Sequence, residues 1–118
     1  MIRIGIVDDE EIMRLKIHQC IKEILKEQES VEIRSYDCAE DFLEEVQKKT
    51  RFDILFSDIQ MLEMNGLELG KRLQKNVPNL YIIYITAYME YAVESYKISA
   101  YQYILKEDME IRLPQITR

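Results

Sequence analysis

Five short apolar runs, each followed by a stretch of helical or turn-forming residues, constrain this chain more than any other feature in it. The runs are Ile2 to Val7, Val31 to Tyr36, Phe52 to Ser57, Leu80 to Ile85 and Tyr101 to Leu105. Strand-length runs alternating with helical patterns are the signature of parallel strands joined by helical crossovers. Ile54-Leu55-Phe56 is unbroken rather than alternating, which reads as a strand covered on both faces.

The stretches between the runs carry their own periodicity. From about Glu11 to Gln28, Ile17, Cys20, Ile21 and Ile24 fall on one helical face. Ala39 to Lys49 reads as a second helix with Phe42, Leu43 and Val46 inward, and with Asp37 or Cys38 at its N-terminus, where Asp is a good cap. Asn65-Gly66 supplies a turn before a helix carrying Leu67, Leu69 or Gly70, and Leu73. Tyr88 to Lys97 is expected to be a short helix with Ala92, Val93 and Tyr96 inward. Pro is tolerated in a first helical turn, so Leu113-Pro114-Gln115 is expected to open a fifth helix, cut off at Arg118 after little more than a turn.

A chain of 118 residues, 47% of them hydrophobic, is one domain able to bury a core without disulfides or structural metal. Its 22 acids against 16 bases give a net charge of -6, which argues against a nucleic-acid face or an anionic membrane partner for this chain. No run approaches the roughly 20 apolar residues that span a bilayer. Met1 leads straight into the first strand and then Asp8-Asp9-Glu10-Glu11, unlike a secretory signal, so a cytoplasmic protein is expected. Cys20, Cys38 and the single His18 cannot complete a zinc site, and both cysteines are expected to be reduced and partly buried.

In an open parallel sheet, ligands bind outside the carboxyl ends of the strands. There the first strand ends in Asp8-Asp9, the third in Ser57-Asp58, the fourth in Thr86-Ala87 and the fifth in Lys106. Each alone is more simply a cap or a solvated turn; together they place three carboxylates, a hydroxyl and an ammonium on one edge. Three crowded carboxylates repel, and a divalent ion removes the conflict. With only oxygen donors on offer, Mg²⁺ or Mn²⁺ is favoured over zinc. A cation, Lys106, the Thr86 hydroxyl and the Ala87 backbone N–H are the parts that stabilise a transferring phosphoryl group, and a carboxylate can itself be the nucleophile.

Over essentially its whole length the sequence resembles the receiver domain of bacterial two-component response regulators. The resemblance is carried by Ile6-Val7-Asp8-Asp9-Glu10, Phe56-Ser57-Asp58-Ile59-Gln60-Met61 with Met64-Asn65-Gly66, Tyr84-Ile85-Thr86-Ala87 and Tyr103-Ile104-Leu105-Lys106. Thr86 to Val93, leading to Ala100-Tyr101-Gln102-Tyr103, looks most like receivers coupled to LytTR-type DNA-binding domains. The resemblance implies an α/β, three-layer, doubly wound five-stranded parallel sheet of flavodoxin-like type, in receiver order 2-1-3-4-5, with the last helix truncated. It implies that residues 1–118 form one receiver and that a C-terminal effector domain is absent from this chain. Asp58 would accept a phosphoryl group from a sensor histidine kinase. Asp9 would ligate Mg²⁺ directly, Asp8 mainly through water, and Gln60 through its backbone carbonyl. Lys106 would pair with Asp58 or its phosphoryl group, and Thr86 and the Ala87 N–H would hold phosphoryl oxygens. Tyr103 would be a switch aromatic, reporting to a face built from the fourth helix, fifth strand and fifth helix. That face could pair two copies. Beyond its own phosphorylation and dephosphorylation, no enzymatic turnover is implied.

Two positions depart from the pattern. Glu107 follows Lys106 where Pro, in a cis peptide, is usual, and Leu62 stands where Pro is usual after the phosphoacceptor. A cis bond before a non-proline residue costs about 3 kcal/mol, so this loop has reason to be trans and the lysine to be set differently. Seven of the eight tyrosines lie from Tyr81 onward, and Tyr88, Tyr91, Tyr96 and Tyr101 are candidates for an association surface. A phosphorylation-independent binding module remains the alternative on this fold. A haloacid-dehalogenase-type phosphohydrolase is disfavoured, because Asp8-Asp9-Glu10-Glu11-Ile12 lacks that family's second Asp and following Thr or Val. A flavodoxin-like redox module lacks its phosphate loop.

Overall fold

The computed structural model describes residues 1–97 and 100–116, without the side chains of Tyr96 and Ile116. Expectations placed on the Tyr96 side chain and on Arg118 therefore lie outside the described residues.

Strands β1 (Ile2–Val7), β2 (Val31–Tyr36), β3 (Ile54–Ser57), β4 (Tyr81–Thr86) and β5 (Gln102–Leu105) form one parallel sheet in the order β2-β1-β3-β4-β5. Helices α1 (Glu11–Ile24), α2 (Ala39–Gln47), α3 (Gly66–Asn76), α4 (Ala92–Lys97) and α5 (Met109–Ile116) connect and flank the strands. The doubly wound five-stranded sheet read from the family pattern is thus the fold observed.

Each central strand splits its side chains between two cores at period two, as a strand buried on both faces must. Ile4, Ile6, Phe56, Ile83, Ile85 and Ile104 pack with Ile17 and Ile21 of α1 and Met109 and Leu113 of α5. Val7, Leu55, Ile82, Tyr84 and Tyr103 face the other way, onto Phe42 and Leu43 of α2 and Leu67, Leu69 and Leu73 of α3. Gly5 belongs to this second face. A Cβ there would stand 2.6 Å from Cε1 of the fully buried Phe42, so the missing side chain lets α2 sit close on β1.

Several local expectations are corrected. Helix α1 ends at Ile24 rather than Gln28, in a turn where Gln28 N–H donates to the Leu25 carbonyl at 2.9 Å. Of the two residues expected at the start of α2, Cys38 is the cap, and its side chain makes no capping bond. Asn65 is more than a turn residue: its Oδ1 accepts from the Glu68 N–H at 2.9 Å and caps α3. A 3-10 turn, Met89–Tyr91, precedes α4 and sets its phase, so Ser95 faces inward and Val93 is 67% exposed. Ser95 tolerates burial because its hydroxyl donates to the Ala92 carbonyl at 2.7 Å. Pro114 does not open the fifth helix. Met109 and Leu113, one helical turn apart and both buried, draw the chain into helix earlier, which leaves Pro114 inside α5. Both cysteines are free and half-buried, and burial raises both thiols.

One backbone position is strained. Lys49 has φ 71° just beyond α2, with its N–H on the Val46 carbonyl at 3.0 Å and the Thr50 N–H on the Glu45 carbonyl at 3.2 Å. That is a Schellman ending with lysine where glycine is usual. The left-handed conformation costs a non-glycine residue about 1–2 kcal/mol, partly offset by glycine's greater freedom when unfolded. Lys49→Gly is expected to stabilise the chain by about 0.5 kcal/mol. Urea unfolding should show a raised midpoint at unchanged slope.

Candidate functional site

Order β2-β1-β3 makes the chain leave β1 in one direction and return for β3 in the other, opening a crevice at their carboxyl ends. The ladder continues one residue past each strand. Asp8 N–H donates to the Tyr36 carbonyl at 3.2 Å, and Asp58 N–H to the Val7 carbonyl at 2.9 Å. These two bonds bring Asp8 and Asp58 side by side. Carboxylate oxygens of Asp8, Asp9 and Asp58 all lie within 4.8 Å of one another.

Asp8 is fully buried and Asp58 nearly so, whereas Asp9 is exposed. Asp8 Oδ1 accepts from the Glu10 N–H at 2.9 Å, and its carbonyl accepts from Arg14 Nη1 at 2.8 Å. Asp58 Oδ1 accepts from the Ile59 N–H at 2.7 Å. Lys106 Nζ reaches Glu10 at 2.9 Å, Asp58 at 3.2 Å and Asp8 at 3.4 Å. No peptide bond among the described residues is cis, so Lys106 reaches Asp58 across a trans bond to Glu107.

Burial pushes the Asp8 carboxyl up from 3.8 to about 6; the Glu10 N–H opposes this, Asp58 adds to it and Lys106 opposes it. For Lys106, burial alone would lower the ammonium. Its hydrogen bond to Glu10 and the charges of Asp58 and Asp8 outweigh that and hold it well above its ordinary value. Glu10 is held below the usual carboxylate range by its hydrogen bond from Lys106.

The remaining candidates ring this cluster. Thr86 ends β4, fully buried, and its Oγ1 accepts from the Tyr88 N–H at 3.4 Å. Ala87 is exposed. Tyr103 is buried, with its hydroxyl on the Tyr88 carbonyl. Gln60 is exposed, and its side-chain amide donates to the Tyr91 hydroxyl at 2.8 Å. The candidate surface tyrosines fall into two groups. Tyr88 stacks edge-on against Tyr91 beyond the end of β4, while Tyr101 meets Tyr81 at the start of that strand.

Three contributors escaped the sequence reading. Glu10 was grouped with the acidic run but not with Lys106, 96 positions away. Gly66 reads as a turn former in the sequence, yet its missing Cβ would stand 2.1 Å from the Asp58 carbonyl oxygen. Tyr84 reads only as a strand residue in the sequence; its buried hydroxyl donates to the Gly66 carbonyl at 2.6 Å. All three stand in the motifs that carry the family resemblance, which assigns them no role of their own.

The donor set suits a hard divalent cation. Every donor is an oxygen, and Asp8 Oδ2 is buried without a hydrogen bond, facing only the Lys106 ammonium at 3.4 Å. A second group, Asp37, Cys38 and Asp41, mixes a thiol with two exposed acids and has no such orphaned atom.

An acidic pocket at the β1/β3 switch point, with a lysine from the end of β5, defines a class of doubly wound signalling modules. Residues 4–118 match the response regulator receiver domain model, and the chain belongs to that family. It is 38% identical to the sensory transduction protein LytT of Bacillus cereus over 116 residues, 98% of this chain and 45% of that protein. It is 33% identical to the transcriptional regulatory protein LytR of Staphylococcus aureus, over 93% of this chain and 43% of that one. The chain thus spans less than half the length of these curated relatives, which are of the LytTR type.

Among solved structures, the response regulatory domain of protein mrkE from Klebsiella pneumoniae superposes with TM-score 0.84 at 28% identity, covering 98% of this chain and 91% of that one. Response regulator TrrA of Thermotoga maritima, solved in complex with Mg²⁺ and beryllofluoride, gives TM-score 0.75 at 30% identity, covering 98% and 95%. The Asp8, Asp9 and Asp58 triad is typical of the Mg²⁺ site of receivers. No helix among the described residues is long and apolar enough to cross a membrane.

Proposed function

We propose that this chain is the phosphoacceptor half of a two-component transcriptional regulator, and that Asp58 takes its phosphoryl group from a sensor histidine kinase. The observation that carries this reading is the placement of Asp58: buried, 3.2 Å from Lys106, and within 4.8 Å of two further carboxylates. An Asp58 oxygen attacks phosphorus as the P–N bond to the kinase imidazole breaks, leaving an acyl phosphate on Asp58 and the bonding pair on the imidazole nitrogen. Asp8, Asp9, Asp58 and the Gln60 carbonyl would hold Mg²⁺. The bound ion would supply charge neutralisation for the phosphoryl oxygens. Lys106 supplies a second positive charge, and Thr86 and the Ala87 N–H receive the remaining oxygens.

The switch follows from bonds already made. Thr86 Oγ1 holds the Tyr88 N–H, and the Tyr88 carbonyl holds the Tyr103 hydroxyl. Drawing Thr86 toward a phosphoryl group therefore loads the Tyr88 backbone and, through it, Tyr103. A new charge biases a two-state element, and the outcome reaches the face of α4, β5 and α5. There the exposed Val93 of α4, with Tyr88 and Met89 just before it, offers a surface for pairing two copies, while Tyr101 sits apart against Tyr81. The resemblance to LytTR-type receivers, with relatives more than twice this length, supports a DNA-binding output domain beyond this receiver in a cytoplasmic full-length protein, and any contact with DNA belongs to that domain. The phosphorylation-independent alternative draws on the Lys106-Glu107 departure; the contact of Lys106 with Asp58 at 3.2 Å favours the phosphoacceptor reading.

With acetyl phosphate and Mg²⁺, wild-type protein is expected to gain one phosphoryl group by intact mass or Phos-tag migration. Asp58→Asn should gain none while keeping its circular dichroism spectrum. Labelling that survives Asp58→Asn would remove Asp58 from this role.

A further inference from the structure

Lys106 carries one ammonium with three donor hydrogens, and in this structure three carboxylates surround it. Glu10 stands at 2.9 Å, closer than Asp58 at 3.2 Å or Asp8 at 3.4 Å. The three are not equally replaceable. Asp8 is wholly buried, and Asp58 is itself the group to be modified. The Glu10 side chain is 63% exposed and can return to water at little cost. Lys106 donates hydrogen bonds to Glu10 and Asp58, while Asp8 Oδ2 faces it as an ion partner without a hydrogen bond; an incoming phosphoryl oxygen that claims the hydrogen held by Glu10 displaces a carboxylate free to leave for water.

We propose that Glu10 is a positioning residue that acts through Lys106, as an internal competitor for the phosphoryl group. Resting on the reading of Asp58 as phosphoacceptor, this gives Glu10 two effects. Before phosphorylation it occupies the lysine hydrogen that the phosphoryl group needs. Afterwards, a carboxylate displaced into water and still near the new anion favours return to the resting arrangement. Glu10 thereby lowers affinity for phosphoryl-like ligands without being a ligand of theirs. Arg14, which holds the Asp8 carbonyl at 2.8 Å, keeps the loop bearing Glu10 in place while its side chain exchanges partners.

The test measures beryllofluoride binding at saturating Mg²⁺, and Mg²⁺ binding alone, by calorimetry. The proteins compared are wild type, Glu10→Gln, Glu10→Asp and Glu11→Gln. Loss of a partly exposed ion pair corresponds to a ~3- to 5-fold change in affinity. Glu10→Gln is expected to bind beryllofluoride tighter by that factor, with Glu11→Gln close to wild type. Glu10→Asp is decisive, because it keeps the charge but is one methylene too short to reach Lys106 from the same backbone position. It should behave like Glu10→Gln. If it matches wild type, only the local field matters and the competitor role is wrong. If both Glu10 variants bind beryllofluoride or Mg²⁺ more weakly, Glu10 helps to hold ligand, which also overturns the proposal. Failure of wild type itself to bind beryllofluoride would instead remove the phosphoacceptor reading, and this inference with it.

Discussion

Gly66→Ala is expected to destabilise the fold by about 3 kcal/mol and to disturb the phosphoacceptor loop, although helix propensity alone says the opposite. Alanine in place of glycine favours a helix by about 1 kcal/mol, and Gly66 is the first residue of α3. Its φ is not positive, so no special backbone freedom is at stake. Space is what matters. A Cβ would lie 2.1 Å from the Asp58 carbonyl oxygen and 3.0 Å from the Ile59 Cα, both backbone atoms that no rotamer change can clear. Nor can the helix slide away easily. Gly66 N–H donates to the Ile59 carbonyl at 2.8 Å, and its own carbonyl holds the buried Tyr84 hydroxyl at 2.6 Å. Relief requires breaking one of these bonds or moving Asp58, and overpacking a site so confined costs about 1–3 kcal/mol or more. Denaturant unfolding gives the stability change, and acetyl phosphate labelling gives the effect on Asp58. A variant as stable as wild type and equally labelled would show that the close approach is not maintained in solution.

That glycine also marks where the sequence stopped being readable. Strand ends are legible because an apolar run has a visible last residue, and the chemistry of a parallel sheet lies just past it. Asp8, Asp58, Thr86 and Lys106 are placed at the sheet edge this way, from periodicity and a rule about topology. Contacts that depend on how far a side chain reaches left no such trace. Glu10 meets Lys106 only because the turn after Asp8, closed by the Glu10 N–H on Asp8 Oδ1, aims it back across the sheet edge. Helix phase was also partly hidden. Val93 looked inward on an unbroken helix from Tyr88, but the 3-10 turn before α4 advances the chain by a different angle per residue and brings Ser95 in. At Pro114, local propensity suggested a start, and the burial of Met109 and Leu113 overrode it.

The Asp8 carboxylate sets the second large effect, because the same burial that prepares a cation site costs stability when no cation is bound. Its folded value, about 6, lies above the unfolded 3.8, so the folded chain holds this proton more tightly. The associated stability is fully present below the unfolded value and is lost as pH rises through 6. The full span corresponds to about 3 kcal/mol, of which about 1 kcal/mol falls between pH 5 and pH 7. Asp8→Asn removes that titration while keeping an oxygen for the Glu10 N–H. In EDTA at pH 7 the variant is expected to be more stable than wild type by about 1–2 kcal/mol, and the gap should narrow toward pH 5. Taking the difference between the two proteins cancels the other titrating groups. Mg²⁺ should reverse the order, because a bound cation stabilises the wild type by about 2.7 kcal/mol at one hundred times its dissociation constant, while the variant has lost a carboxylate from the site. Unfolding curves at pH 5 and 7, each with EDTA and with Mg²⁺, resolve all four states. A wild type more stable than the variant in EDTA at pH 7 would mean that Lys106, at 3.4 Å, already compensates the buried charge, leaving no electrostatic cost for Mg²⁺ to relieve.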